Sequence, residues 1–102
     1  MHDIASLTAR ITYPLSEAEK DQIAKAFAFA QAKHAGQKRN SGEDYFVHVL
    51  EVAKNCASLG MDITTIASAL LHDTLEDTDA TEEELLGLFG EQVVFLVKGV
   101  TK

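Results

Sequence analysis

The segment Ala69-Leu70-Leu71-His72-Asp73-Thr74-Leu75-Glu76-Asp77-Thr78 sets four ionisable side chains directly after a strongly apolar run. His72 and Glu76 are four residues apart, as are Asp73 and Asp77, so a helix continuing through them puts each pair on one face. Buried without partners, such groups cost several kcal/mol each; they must face solvent, pair with one another or bind a cation. As a bare dipeptide, His72-Asp73 also fits a helix C-terminus, where His complements the dipole and Asp begins a turn. With Glu76, Asp77 and the distant His48, the set suits a divalent transition metal. Imidazole and carboxylate donors from two helices favour Mn, Fe or Zn over Ca or Mg. Such an ion acidifies a bound water and polarises a phosphoryl oxygen, while carboxylates beyond its coordination sphere orient or deprotonate that water.

A second chemical feature is the polar stretch Gln37-Lys38-Arg39-Asn40-Ser41-Gly42-Glu43-Asp44, whose residue types favour a loop. It holds the densest positive charge of the chain. Lys38 and Arg39 suit a polyanion, and a guanidinium plane stacks on a base. The rest of the chain is acidic. Nine Lys and Arg against 16 Asp and Glu leave a net charge of −7, all of it in residues 61–102. That balance argues against binding a nucleic-acid backbone or an anionic membrane.

The elements that must position these residues read as helices. Ser16 with Glu19 is a capping box, and Ile23, Phe27, Ala30 and His34 then recur at helical spacing, predicting a first helix over 17–34. His34 at its end reads as a capping or dipole histidine. A second helix runs from Tyr45 to Leu59, with Val49, Val52, Ala53, Cys56 and Ala57 on its apolar face, His48 in its first turn and Gly60 as its stop. Asp62 caps a third, central helix whose stripe is Ile63, Ile66, Ala67, Leu70 and Leu71. Asp77 to Ala80 is a loop. Thr81 and Glu84 form another capping box, opening a short helix through Leu85, Leu88 and Phe89 to Gly90. Val93, Val94, Leu96, Val97 and Val100 define a fifth helix; a strand over 93–97 fits the β-branched residues but has no partner strand. The expectation is one all-α domain over 1–102, a bundle of about five helices. Phe27, Phe29, Phe46, Phe89, Phe95 and Cys56 are assigned to its core. With 102 residues there is surface enough to bury one core and not two. Lone Cys56 rules out an internal disulfide, no signal peptide or membrane span is legible, and a cytoplasmic location is expected.

Three blocks carry a resemblance. His34 to His48, then Leu70 to Thr78, then Phe89-Gly90 with Gly99-Val100-Thr101-Lys102 resemble, in order, the HD-type hydrolase domain of the RelA/SpoT family, from about residue 20 onward. The resemblance implies a helical domain that binds one Mn2+ and hydrolyses the 3′-pyrophosphate of (p)ppGpp, giving GDP or GTP and pyrophosphate. It implies metal ligands at His48, His72 and Asp73, handling of the attacking water by Glu76 and Asp77, and a guanine-stacking Arg39 in a nucleotide loop with Asn40 and Ser41.

The chain departs from that family at three points. Asn40 stands where a lysine is usual, removing a charge that faces phosphate. Val49 stands where a proline commonly follows the histidine, changing how the helix starts. No helices follow the Gly-Val-Thr-Lys block to supply a further aspartate ligand, so the domain is expected to be incomplete, with apolar faces on the third and fifth helices covered by a homodimer or another chain. Two other functions remain open on the residues: an HD phosphohydrolase acting on a different nucleotide, and a non-catalytic nucleotide-binding or protein-interaction module.

Overall fold

The computed structural model describes residues 4–100. These form α1 (Ile4–Thr8), α2 (Glu17–Lys33), α3 (Tyr45–Ser58), α4 (Ile63–Leu71), α5 (Thr74–Asp77), α6 (Glu82–Phe89) and α7 (Glu91–Val100). The all-α expectation holds, with seven helical segments in place of about five. Both capping boxes are present: the Ser16 and Thr81 side chains accept from the N–H groups of Glu19 and Glu84, whose carboxylates bond back to the cap. Asp62 accepts from the Thr65 N–H at 2.9 Å. Gly60, at φ 80°, takes the left-handed turn that stops α3.

Helix α4 is central, packed by α2, α3 and α7. Ile63, Ile66, Ala67, Leu70 and Leu71 are at most 3% exposed, so the stripe of α4 expected to lie uncovered is buried, while Ala69 beside it is only partly covered. Burying each Leu or Ile contributes about 1.5–3 kcal/mol. Phe27 and Phe46 meet edge to face at 5.1 Å, and Phe29 meets Phe89 at 5.9 Å. Phe95 is corrected: it is 75% exposed, because Val93, Val94 and Val97 take the inner face of α7 and the side chain two positions from Val93 points the opposite way. Leu88 is likewise turned outward on α6, and Cys56 is only partly buried. Residues 93–97 are helical, and the only β geometry among the described residues is an isolated bridge between Lys38 and Asp44.

The unexpected α1 is fastened by distant contacts. Leu7 is fully buried, Arg10 donates to the Ser58 hydroxyl at 3.1 Å, and the Tyr13 hydroxyl donates to the Met61 carbonyl at 2.6 Å.

The central helix also stops earlier than a continuous helix through Asp77 requires. The His72 Nδ1 lies 2.5 Å from the Ala69 carbonyl oxygen, and the buried Thr74 hydroxyl donates to the Leu71 carbonyl at 2.7 Å. Side chains thus satisfy carbonyls that the ending helix leaves open. Backbone turns persist, and the Asp77 N–H donates to the Asp73 carbonyl at 2.9 Å. Asp73 and Asp77 therefore keep the one-turn spacing that the sequence predicts.

Candidate functional site

The site is built where the end of α4, the single turn α5 and the start of α3 meet. A carbonyl only accepts, so the Ala69 contact places the hydrogen of a neutral His72 on Nδ1 and the lone pair on Nε2. Nε2 lies 3.1 Å from Asp73 Oδ2. Both are donor atoms toward a cation, and they sit side by side. The other neighbour of Asp73 is Tyr45, whose hydroxyl lies 3.0 Å from Asp73 Oδ2 and 3.0 Å from Asp77 Oδ2. Burial first, then hydrogen bonds to these two carboxylates, push the Tyr45 phenol far above its ordinary pKa.

Tyr45 is held from behind. Its ring stacks on His34, with centroids 4.9 Å apart and planes at 18°. His34 is 1% exposed, and its Nδ1 lies 2.8 Å from Gln37 Oε1. Gln37 Nε2 in turn donates to the Asp77 carbonyl at 2.5 Å, which settles the amide's orientation and makes His34 Nδ1 the donor. His34 does end α2, as expected of it, but its ring is a buried part of the site's support rather than a surface cap.

The loop before α3 closes as a small hairpin. The Arg39 N–H donates to the Glu43 carbonyl and the Gly42 N–H to the Arg39 carbonyl, each at 2.8 Å, with Gly42 at φ 88°. Lys38 pairs with Asp44, and Arg39 Nη1 lies 3.8 Å from Glu43 Oε1. Lys38, Arg39, Asn40, Ser41, Tyr45 and His48 line one open depression. The structure thus gathers the three expected nucleotide-loop residues beside His48, whose ring stands edge-on to Tyr45 at 6.0 Å.

Of the expected metal ligands, His72 and Asp73 are adjacent, and His48 reaches the same region through Tyr45. Among the described residues, no group of three or more His, Cys, Asp or Glu side chains is gathered tightly enough to hold an ion. The donor chemistry nevertheless fits a cation. The four groups His72 Nε2, Asp73 Oδ2, the Tyr45 hydroxyl and Asp77 Oδ2 stand in sequence at 3.0–3.1 Å, and with a neutral imidazole and charged carboxylates they share one hydrogen, that of the phenol. Positive charge at the His72–Asp73 end relieves that excess of lone pairs. Glu76 and Asp77 lie exposed on α5, one turn beyond. Sequence reasoning missed Tyr45, His34 and Gln37; the available signal was the spacing of three between Tyr45 and His48, which puts both on one face at the start of α3.

An all-helical bundle whose central helix ends on adjacent His and Asp donors, with further carboxylates a turn away, is a scaffold of a recognisable class. The chain belongs to the HD-domain family, whose profile matches residues 26–102. Over 82 residues, 80% of this chain, it is 57% identical to the guanosine-3′,5′-bis(diphosphate) 3′-pyrophosphohydrolase of Aquifex aeolicus (strain VF5) and 55% identical to the GTP pyrophosphokinase of Myxococcus xanthus. It spans 12% and 11% of those relatives' lengths. Among solved structures it is similar to a metazoan ortholog of SpoT that hydrolyses ppGpp, with a TM-score of 0.75 and 34% identity, covering 88% of this chain and 50% of that one. The RelA/SpoT resemblance and the helical fold are thereby established. No helix among the described residues is long and apolar enough to cross a membrane.

Proposed function

We propose that this chain carries the hydrolytic centre of a (p)ppGpp 3′-pyrophosphohydrolase, acting on a guanine nucleotide in the cytoplasm with Mn2+ held by His48, His72 and Asp73. When bound, the ion would acidify water and polarise a phosphoryl oxygen. The chain's own residues do the rest. Glu76 and Asp77, one turn past the His-Asp pair, orient the attacking water and take its proton. Arg39 stacks on the guanine, and Asn40 and Ser41 hydrogen-bond the nucleotide from the same loop. Arg39 exchanges its long 3.8 Å contact with Glu43 for the substrate. Asn40 offers hydrogen bonds without a charge, so the loop holds phosphate less by attraction than by shape.

One observation carries this reading: His72 Nε2, Asp73, the Tyr45 hydroxyl and Asp77 follow one another at 3.0–3.1 Å, and Tyr45 with His48 lines the Arg39–Ser41 depression. It is supported by 57% identity to a relative named for that hydrolysis. A substrate panel tests it. With Mn2+ present, ppGpp and pppGpp release pyrophosphate and leave GDP and GTP, whereas GDP, GTP and ATP are untouched. Equal turnover of ATP, or binding of ppGpp without turnover, contradicts it. Association with a second copy or a partner chain belongs to the same reading. Its surface is the groove along α6 and α7, where Leu86 and Phe95 stand 46% and 75% exposed.

A further inference from the structure

Tyr45 lies outside the set of residues to which the hydrolytic reading gives a role, yet it touches Asp73, Asp77 and His48. We propose that Tyr45 is a positioning residue of the hydrolytic centre, its hydroxyl tying the Asp73 carboxylate to the Asp77 carboxylate across the break between α4 and α5. The inference rests on the hydrolytic reading and adds to it a residue that touches neither the ion nor the nucleotide's reacting atoms.

The tie follows from donor arithmetic. A phenol carries one hydrogen, and ionised carboxylates only accept. The hydroxyl therefore serves Asp73 and Asp77 alternately, and both carboxylates are drawn to one oxygen at 3.0 Å. Without it they are like charges one helical turn apart, and repulsion turns them away from each other. Asp77, already exposed, would swing toward water. Asp73 would lose the contact that fixes which oxygen faces His72 Nε2.

The tie is stiff because the ring cannot slide. His34 is stacked under it, and His34 and the Asp77 backbone are joined through the single amide of Gln37. The Tyr45 N–H also donates to the Gln37 carbonyl at 3.0 Å. Ring and acidic turn thus share one support. The buried His34 Nε2 has no hydrogen-bond partner among the described residues, a cost that a phenylalanine in the same stack avoids. What phenylalanine cannot do is donate to Gln37, so the imidazole's place under Tyr45 is explained by the anchoring of Asp77.

Tyr45→Phe keeps the ring and its stack while deleting the hydroxyl. Mn2+ affinity, read from the EPR signal of free Mn2+, should fall about 10- to 100-fold, the usual effect of removing a group that orients a metal ligand. At saturating Mn2+, kcat for ppGpp should fall about tenfold or more with KM held within about twofold. Helical circular dichroism and the thermal midpoint report whether the variant is folded. If it is not, Gln37→Leu, which leaves Tyr45 in place and frees the Asp77 carbonyl, must lower kcat without raising KM. Folded Tyr45→Phe with wild-type Mn2+ affinity and kcat overturns the proposal and leaves the hydrolytic reading intact. A rise in KM alone also overturns it, making Tyr45 a nucleotide contact. If the wild-type chain itself neither binds Mn2+ nor releases pyrophosphate, the hydrolytic reading fails and takes the proposal with it.

Discussion

His34 lies flat beneath Tyr45, ring on ring at 4.9 Å, although the two residues belong to the end of α2 and the start of α3. The stack carries the loop between them, residues 35–44, as a closed excursion whose ends are fixed. That is why a segment rich in charge and glycine can present Arg39, Asn40 and Ser41 in one place.

Replacing the stacked histidine separates packing from hydrogen bonding. His34→Ala removes a fully buried ring and should cost roughly 2–4 kcal/mol in urea unfolding. His34→Phe keeps the stack, loses the bond to Gln37 and removes an Nε2 that is unpartnered among the described residues, so its stability should stay within about 1 kcal/mol of wild type. Equal losses for both variants would show that the bond to Gln37, not the stack, holds the loop.

At the start of α4, hydrogen bonds from Thr65, side chain first and backbone N–H second, hold the Asp62 carboxyl below its ordinary value of 3.8. A lowered carboxyl pKa means that the folded state prefers the charged form. Its contribution is fully present above pH 3.8 and is lost as pH falls through the lower folded value. Asp62→Ala should therefore cost about 1 kcal/mol at pH 7, the usual value of an N-cap. Urea titrations repeated on the acid side of 3.8 should show the gap between the two proteins closing.

The break after Leu71 rests on the Thr74 hydroxyl. Thr74→Val keeps the shape, leaves the Leu71 carbonyl short of a donor and should cost roughly 1–2 kcal/mol. Because α5 carries Glu76 and Asp77, ppGpp turnover should fall with it, while binding through the Arg39 loop is unchanged; nucleotide titration calorimetry and initial rates check the two separately.

A guanidinium laid over a ring face contributes on the order of 0.5–2 kcal/mol. Arg39→Ala should raise KM for ppGpp about 2- to 30-fold and change kcat little. Arg39→Lys should not restore KM, since an ammonium has no plane to lay on the guanine.

Where local chemistry decides the backbone, the sequence was readable. Ser16 with Glu19, Asp62, Thr81 with Glu84, and Gly60 each act within a few residues of themselves, and each marks an observed helix end. The spacing of Asp73 and Asp77 was readable for the same reason. What escaped reading depends on residues far apart in the chain. Tyr45 reaches partners 28 and 32 positions away, and Gln37 one that is 40 away. Helix α1 is only five residues long and is held by Leu7, Arg10 and Tyr13 against residues it meets only on folding. Phe95 was misplaced because residues 93–97 are apolar on every side, and periodicity then cannot say which of them faces out.

We propose that His72 and the acidic residues around it serve hydrolysis of the 3′-pyrophosphate of ppGpp. Pyrophosphate release from ppGpp by the purified chain with excess Mn2+, with folded His72→Ala run in parallel, tests this. The wild-type chain should release pyrophosphate, and His72→Ala none above background. Folded wild-type protein that releases none, or release that survives His72→Ala, would contradict it.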